Sequence, residues 1–391
     1  FSRKMSAVVL ATASYDHKIR FWEASKEKCT RILRYPDSQV NALSITNDKQ
    51  YIAAVGHQHA KIFEVHRGEG NPVRSYDAHS GNVTAVGFQS DAKWMYTASE
   101  DKCIRIWDLR APRCQRQYEC PAGVNTVALH PNQSEIVSGD QAGNIRFWDL
   151  QSNSCSQELS PKDYDFPIEY GSDLLSSESN RQKDDSDNTT KSNTSEASSK
   201  PTPPLPPPPA GLVSTPTQPT QPAAPTSSFV PRHGGDASGD SIRSLTMASD
   251  GSVVAAVNHA GRMFTWSPAG GTVSGGSSTG YVRKTRTETN HAGYLLKCVI
   301  SPDCSKVVTC SSDKTAKIWS MADHPRSISV EKTLAQHQRW VWDACFSADS
   351  AYLLTASSDN TAKLWDVNSG EVIRHYTSTM AVTCVALNDS Q

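Results

Sequence analysis

The chain has 391 residues and a formal net charge of -1, so no basic excess points to nucleic acid and no acidic excess points to a cationic partner. Its ten cysteines are scattered, with no C-x-x-C pair and no Cys/His cluster at zinc-finger spacing, which argues against a structural metal and fits reduced thiols in the cytoplasm. The longest early apolar run, Ala7-Val8-Val9-Leu10-Ala11, is too short for a signal-peptide core or a bilayer span, so a soluble protein without membrane insertion is expected.

Phe1 is not an initiator; Met5 is the expected start, and Phe1 to Lys4 carry no reading. Strands are predicted over 8–13, 19–22 and 30–35, and the second of these ends on Trp22. The same short alternating strand, closing on a large aromatic, returns at Phe63, Trp107, Trp148, Trp266, Trp319 and Trp365. The intervals are 41, 44, 41, 118, 53 and 46 residues. A period of roughly 40 to 45 is the spacing of propeller blades. The fold class is therefore all-β, a seven-bladed β-propeller, and the propeller itself is expected to be monomeric.

Three blades carry a finer pattern. His79, Thr97, Asp101 and Trp107 stand at offsets 0, 18, 22 and 28; His291, Thr309, Asp313 and Trp319 repeat them, and so do His337, Thr355, Asp359 and Trp365. A buried indole N–H and a buried threonine hydroxyl each need a partner, and a histidine from the incoming loop can join that hydroxyl to the turn aspartate. These are also the residue types of a catalytic triad. Their repetition in three blades favours a structural role and predicts no enzyme, with no cofactor and no metal. Blade one keeps Thr12, Asp16 and Trp22 but has Ser378 where the histidine belongs, so it is expected to rely less on polar bonds and more on close packing.

The long interval contains a change of composition. Residues 1–160 carry blades one to four and residues 161–240 are a Ser/Thr/Pro-rich insertion that includes the run Pro206-Pro207-Pro208-Pro209. Residues 241–391 carry blades five to seven plus a closing strand. A segment with so little apolar surface to bury is expected to be disordered. It offers Ser160, Thr202 and Thr215 ahead of proline to proline-directed kinases. The final alternating run from Val382 to Leu387 matches the innermost strands of other blades and is expected to complete blade one, which leaves no open sheet edge.

Six of the nine tryptophans occupy the repeated strand position. Of the others, Trp94 is read as packing, whereas Trp340 and Trp342 bracket Val341 where a loop enters an innermost strand. Alternation puts both on one side, near the channel mouth. Two large aromatics there suit a partner contact. Tyr294 holds the corresponding loop in blade six, and Gln39 and Asn41 that in blade two, so together they outline one end of the ring.

At this point the sequence resembles the small WD-repeat subunit family of the target-of-rapamycin (TOR) kinase complexes. The likeness rests on stretches such as Ala11-Thr12-Ala13-Ser14-Tyr15-Asp16-His17, Asp37-Ser38-Gln39-Val40-Asn41-Ala42-Leu43, Leu129-His130-Pro131-Asn132-Gln133 and Thr355-Ala356-Ser357-Ser358-Asp359-Asn360. It covers all seven repeats and excludes only the insertion. The resemblance implies a scaffold that binds and stabilises the catalytic domain of the TOR kinase in both TOR complexes, beside their other subunits, in the cytoplasm or recruited to endomembranes. Trp340 and Trp342 look like its kinase-contacting aromatics, with Gln39 and Asn41 on the same face. The family's loop into blade three usually bears a lysine, where this chain has Ser80-Gly81-Asn82. Two other readings stand beside it. Trp107-Asp108-Leu109-Arg110 fits the W-D-x-R pattern of substrate receptors of cullin-type ubiquitin ligases, although Trp-Asp is produced by the repeat itself; the other is a generic WD-repeat adaptor.

Overall fold

A computed structural model describes residues 8–66, 70–111, 113–160, 240–269 and 280–389. Short runs rich in β-branched and aromatic residues pair there with their sequence neighbours into seven antiparallel sheets of four strands each. Blade three is typical: Val83–Phe88 is innermost, followed outward by Trp94–Ser99, Cys103–Asp108 and Cys114–Glu119. The all-β, seven-bladed propeller read from the repeat is the observed architecture.

Blade one is composite. Val9–Ser14, Lys18–Glu23 and Lys28–Arg34 supply its outer three strands, and Val382–Asn388 supplies the innermost. The closing ladder pairs Val9 with Asn388, Leu10 with Leu387 and Thr12 with Val385. Blade four ends on Ser154–Leu159 and blade five begins on Ile242–Met247, which sets the insertion between these two blades. Its expected disorder concerns residues 161–239, which lie outside the described ones.

The turn between the second and third strands is built alike in every blade. A residue with positive φ sits at His17, Gln58, Lys102, Gly143, Gly261, Lys314 and Asn360. In four blades the preceding aspartate stabilises the turn by accepting the N–H two residues on, as from Asp101 to Cys103 at 3.0 Å and from Asp359 to Thr361 at 3.0 Å. The main apolar clusters lie between adjacent blades. Trp107 packs on Tyr76 at 5.2 Å, Trp148 on Tyr118 at 5.3 Å and Trp22 on Tyr376 at 5.6 Å, each tyrosine coming from the outer strand of the preceding blade.

One irregularity positions the candidate site. Six of the seven innermost strands have a bulge at their first turn, where the register skips one residue. The skipped residues are Thr383, Thr84, Asn125, Arg243, Leu296 and Trp342. A bulge re-aims a side chain and frees it from the ladder.

Candidate docking end of the ring

The repeated polar sets brace the loops of this end. In blade three, Trp107 donates its indole N–H to Thr97 Oγ1 at 2.9 Å; His79 Nε2 lies 2.7 Å from the same hydroxyl and His79 Nδ1 lies 2.8 Å from Asp101 Oδ2. Blade six repeats this with His291 at 3.0 Å from Thr309 and 2.8 Å from Asp313, and blade seven with His337 at 2.7 Å from Thr355 and 2.8 Å from Asp359. Trp319 and Trp365 donate to their threonines at 2.9 and 2.8 Å. A carboxylate only accepts, so Nδ1 carries the histidine proton and Nε2 accepts from the threonine. Burial pushes all three histidines below their ordinary value near 6.5, against the pull of the aspartates. Burial alone would raise Asp101, but His79 and the N–H groups of Ser80 and Cys103 outweigh it and bring the carboxyl to about 2.

Blade one differs from expectation. Without the histidine its polar bonds are rebuilt rather than lost: Arg20 pairs with Asp16, Thr379 donates to Asp16 at 2.6 Å, and Trp22 still donates to Thr12 at 3.0 Å. Ser378 lies 3.3 Å from Ser14. Arg20, eight residues after the threonine, thus shares the turn aspartate with Ser14, Thr379 and the Lys18 N–H where blade one lacks the histidine.

The bulge residues then divide the end of the ring into two arcs. Thr383 donates to Val40 O at 2.8 Å, Thr84 to Val124 O at 2.8 Å and Asn125 to Ile242 O at 2.7 Å. Asn41, at the matching place in blade two, donates to Val83 O at 2.9 Å. Each thus ties its blade to the next. In blades five, six and seven the position carries Arg243, Leu296 and Trp342 instead. Asn41 therefore has its amide committed to the neighbouring blade, while Trp342 donates within its own blade to Ser358 Oγ at 2.5 Å.

The five residues singled out from sequence all lie at this end. Trp340 and Trp342 are half-buried and meet with ring centroids 5.3 Å apart. Tyr294 is 50% exposed and stacks on His259, 4.1 Å between centroids and 21° between planes. Gln39 and Asn41 are half-buried beside the mouth. Sequence reasoning missed His259 and also Met380, which is 49% exposed in the loop entering the innermost strand of blade one. Met380 belongs to the loop of blade one, which stands in ring order between blade seven with the tryptophans and blade two with Gln39; a methionine beside Ser378 and Thr379 was the available signal. In the loop where the resemblance implies a lysine, Asn82 donates to Glu100 at 3.0 Å and lies 3.0 Å from His57 Nδ1.

Elsewhere, Arg110 of the Trp-Asp-x-Arg run is an exposed loop residue 3.4 Å from Asp108, and the indole of Trp107 serves the blade core. Among the described residues no group of three or more His, Cys, Asp or Glu could hold a metal ion. No helix there is long and apolar enough to cross a membrane.

A closed ring of seven four-stranded blades with aromatic side chains gathered at one end defines a WD-repeat propeller. The family model described as "WD domain, G-beta repeat" matches residues 70–108, 112–149, 282–320 and 328–366. The chain is 40% identical to the target of rapamycin complex subunit LST8-1 of Arabidopsis thaliana, over 85% of this chain and 82% of that protein. It is 38% identical to the target of rapamycin complex subunit LST8 of Saccharomyces cerevisiae, over 98% and 99% of the two chains. It is 36% identical to the target of rapamycin complex subunit wat1 of Schizosaccharomyces pombe, over 98% and 97%. The chain belongs to the LST8 family of WD-repeat proteins.

Proposed function

We propose that this protein is a non-catalytic scaffold subunit of the TOR complexes, docking on the catalytic domain of the TOR kinase through the end that carries Trp340 and Trp342 and steadying the kinase's active site. Its relatives' names support membership of a TOR complex. The observation that carries the docking reading is the half-exposed pair itself, two indoles in contact at the mouth of the ring. Large aromatics at such a position are favoured interface anchors. In blade seven the His337–Thr355–Asp359 set braces the loop that leads to them. The same reading puts the protein in both TOR complexes and in the cytoplasm, with recruitment to endomembranes through the kinase.

The test replaces both tryptophans with alanine and measures co-purification with the TOR kinase, using circular dichroism to confirm the fold. A buried interface tryptophan can contribute about 2 kcal/mol or more, so the double variant should bind roughly 10³-fold more weakly. A folded Trp340→Ala/Trp342→Ala protein that binds the kinase normally would place the interface elsewhere.

A further inference from the structure

We propose that Ser358 is a positioning residue for this docking end: its hydroxyl locks the indole of Trp342, and its amide holds the loop of Trp340, in the arrangement a partner meets. The proposal rests on the docking reading above and names a residue that makes the tryptophans effective without contacting the partner itself.

The argument starts from the bulge. Trp342 is the residue the ladder skips, since Val341 pairs with Ser357 and Asp343 with Ala356. Its backbone is thus not held as a regular strand residue would be. In blades one, three and four the residue at this position is anchored by a bond to the next blade. Trp342 has no such anchor. Its indole N–H instead donates to Ser358 Oγ at 2.5 Å, while the Ser358 N–H donates to Trp340 O at 3.0 Å. One serine therefore grips both aromatics, one through a side chain and one through the backbone.

The placement recurs. Ser358 immediately precedes the turn aspartate Asp359, and the residues at the same place in two other blades also hold their incoming loops. Glu100, before Asp101, accepts from Asn82 Nδ2 at 3.0 Å. Ser312, before Asp313, accepts the Tyr294 N–H at 2.8 Å and donates its own N–H to Tyr294 O at 2.9 Å. The residue ahead of the turn aspartate is thus a general handle on the loops of this end, and in blade seven it holds an aromatic side chain directly. Fixing a half-buried indole before the encounter removes ordering that docking would otherwise require.

The experiment measures the Kd of the full chain for the catalytic region of the TOR kinase. Ser358→Ala should weaken binding about three- to tenfold, the value of one hydrogen bond, and Ser358→Thr, which keeps the hydroxyl, should restore most of it. Trp342→Phe removes the N–H, so adding Ser358→Ala to it should change Kd by less than about twofold. The Trp342 Nε1–H resonance of the free protein, read by ¹⁵N NMR, should shift in Ser358→Ala while the other indole signals stay in place. An unmoved Trp342 resonance, or a full Ser358→Ala loss in the Trp342→Phe background, overturns the positioning role. If Trp340→Ala/Trp342→Ala leaves Kd unchanged, the docking reading itself falls. If that double variant loses binding but Ser358→Ala does not, only the positioning role falls.

Discussion

Asp343, on the innermost strand of blade seven, accepts at Oδ2 a 3.0 Å hydrogen bond from the backbone N–H of Val385 in blade one. Its Oδ1 lies 3.1 Å from Lys297 Nζ in blade six. One carboxylate so joins three consecutive blades, and the blade-one strand it holds is the one that closes the ring. Lys297, held on the same innermost tier, is pushed up from its ordinary value first by the charge of Asp343, against burial.

Asp343→Ala should therefore destabilise the protein by about 1–3 kcal/mol, because a buried N–H and an ammonium both lose their acceptor. Asp343→Asn keeps one oxygen for Val385 and should recover part of the loss. Urea unfolding at neutral pH measures both; an unchanged midpoint in Asp343→Ala would mean that the carboxylate adds nothing to the ladders and apolar contacts that hold these three blades.

A second prediction separates blades with and without the histidine. Thr355 is fully buried and serves both Trp365 and His337, whereas Thr12 serves Trp22 alone. Thr355→Val leaves two groups unsatisfied and Thr12→Val leaves one. The first should cost roughly twice the second, with the second at about 1–2 kcal/mol. Equal losses in the two variants would show that the histidine contributes nothing through the threonine.

Acid sensitivity follows from the buried histidines. His79, His130, His291, His324 and His337 are all pushed below the ordinary value near 6.5, chiefly by burial. Above that value neither state binds the proton; below it the unfolded chain binds it and the folded ring does not. Stability is thus fully present above about pH 6.5 and is lost as the pH falls through the folded values, each group contributing at most about 1.4 kcal/mol per pH unit. A further loss begins below about 3.8, where Asp101, at about 2 in the fold, is protonated only in the unfolded chain. The urea midpoint should drop between pH 7.5 and 5.5, with a smaller slope in His337→Gln. A midpoint that rises towards pH 5.5 would contradict this account.

Seven blades, the closing strand and the turn-bracing sets were legible in the sequence because each is local or periodic. Trp107, Trp319 and Trp365 recur at fixed offsets from Thr and Asp, and periodicity survives without coordinates. The two arcs at the docking end were not legible, although Thr84, Asn125, Arg243, Leu296, Trp342 and Thr383 each follow an apolar residue that could have been aligned. What alignment alone lacks is the register: only the skipped pairing shows that these side chains leave the ladder. The replacement of a histidine by Arg20 in blade one was hidden for a similar reason, since Arg105 and Arg146 stand at the same strand position in other blades. The clasp formed by Asp343 depends on contacts between strands more than 40 residues apart.

The pairing of Val9 with Asn388 sets how this ring responds to force. These two residues are at the outer limits of their strands and opposite each other, so tension applied at residues 8 and 389 falls on the first rung of the ladder alone. The seam then opens rung by rung from Val9–Asn388 towards Ser14–Val382, as a zipper does, instead of resisting with all its hydrogen bonds at once, as parallel strands pulled in shear would. A ring fused at both ends to a load-bearing tether would be mechanically weak at blade one, however stable its other six blades remain in solution.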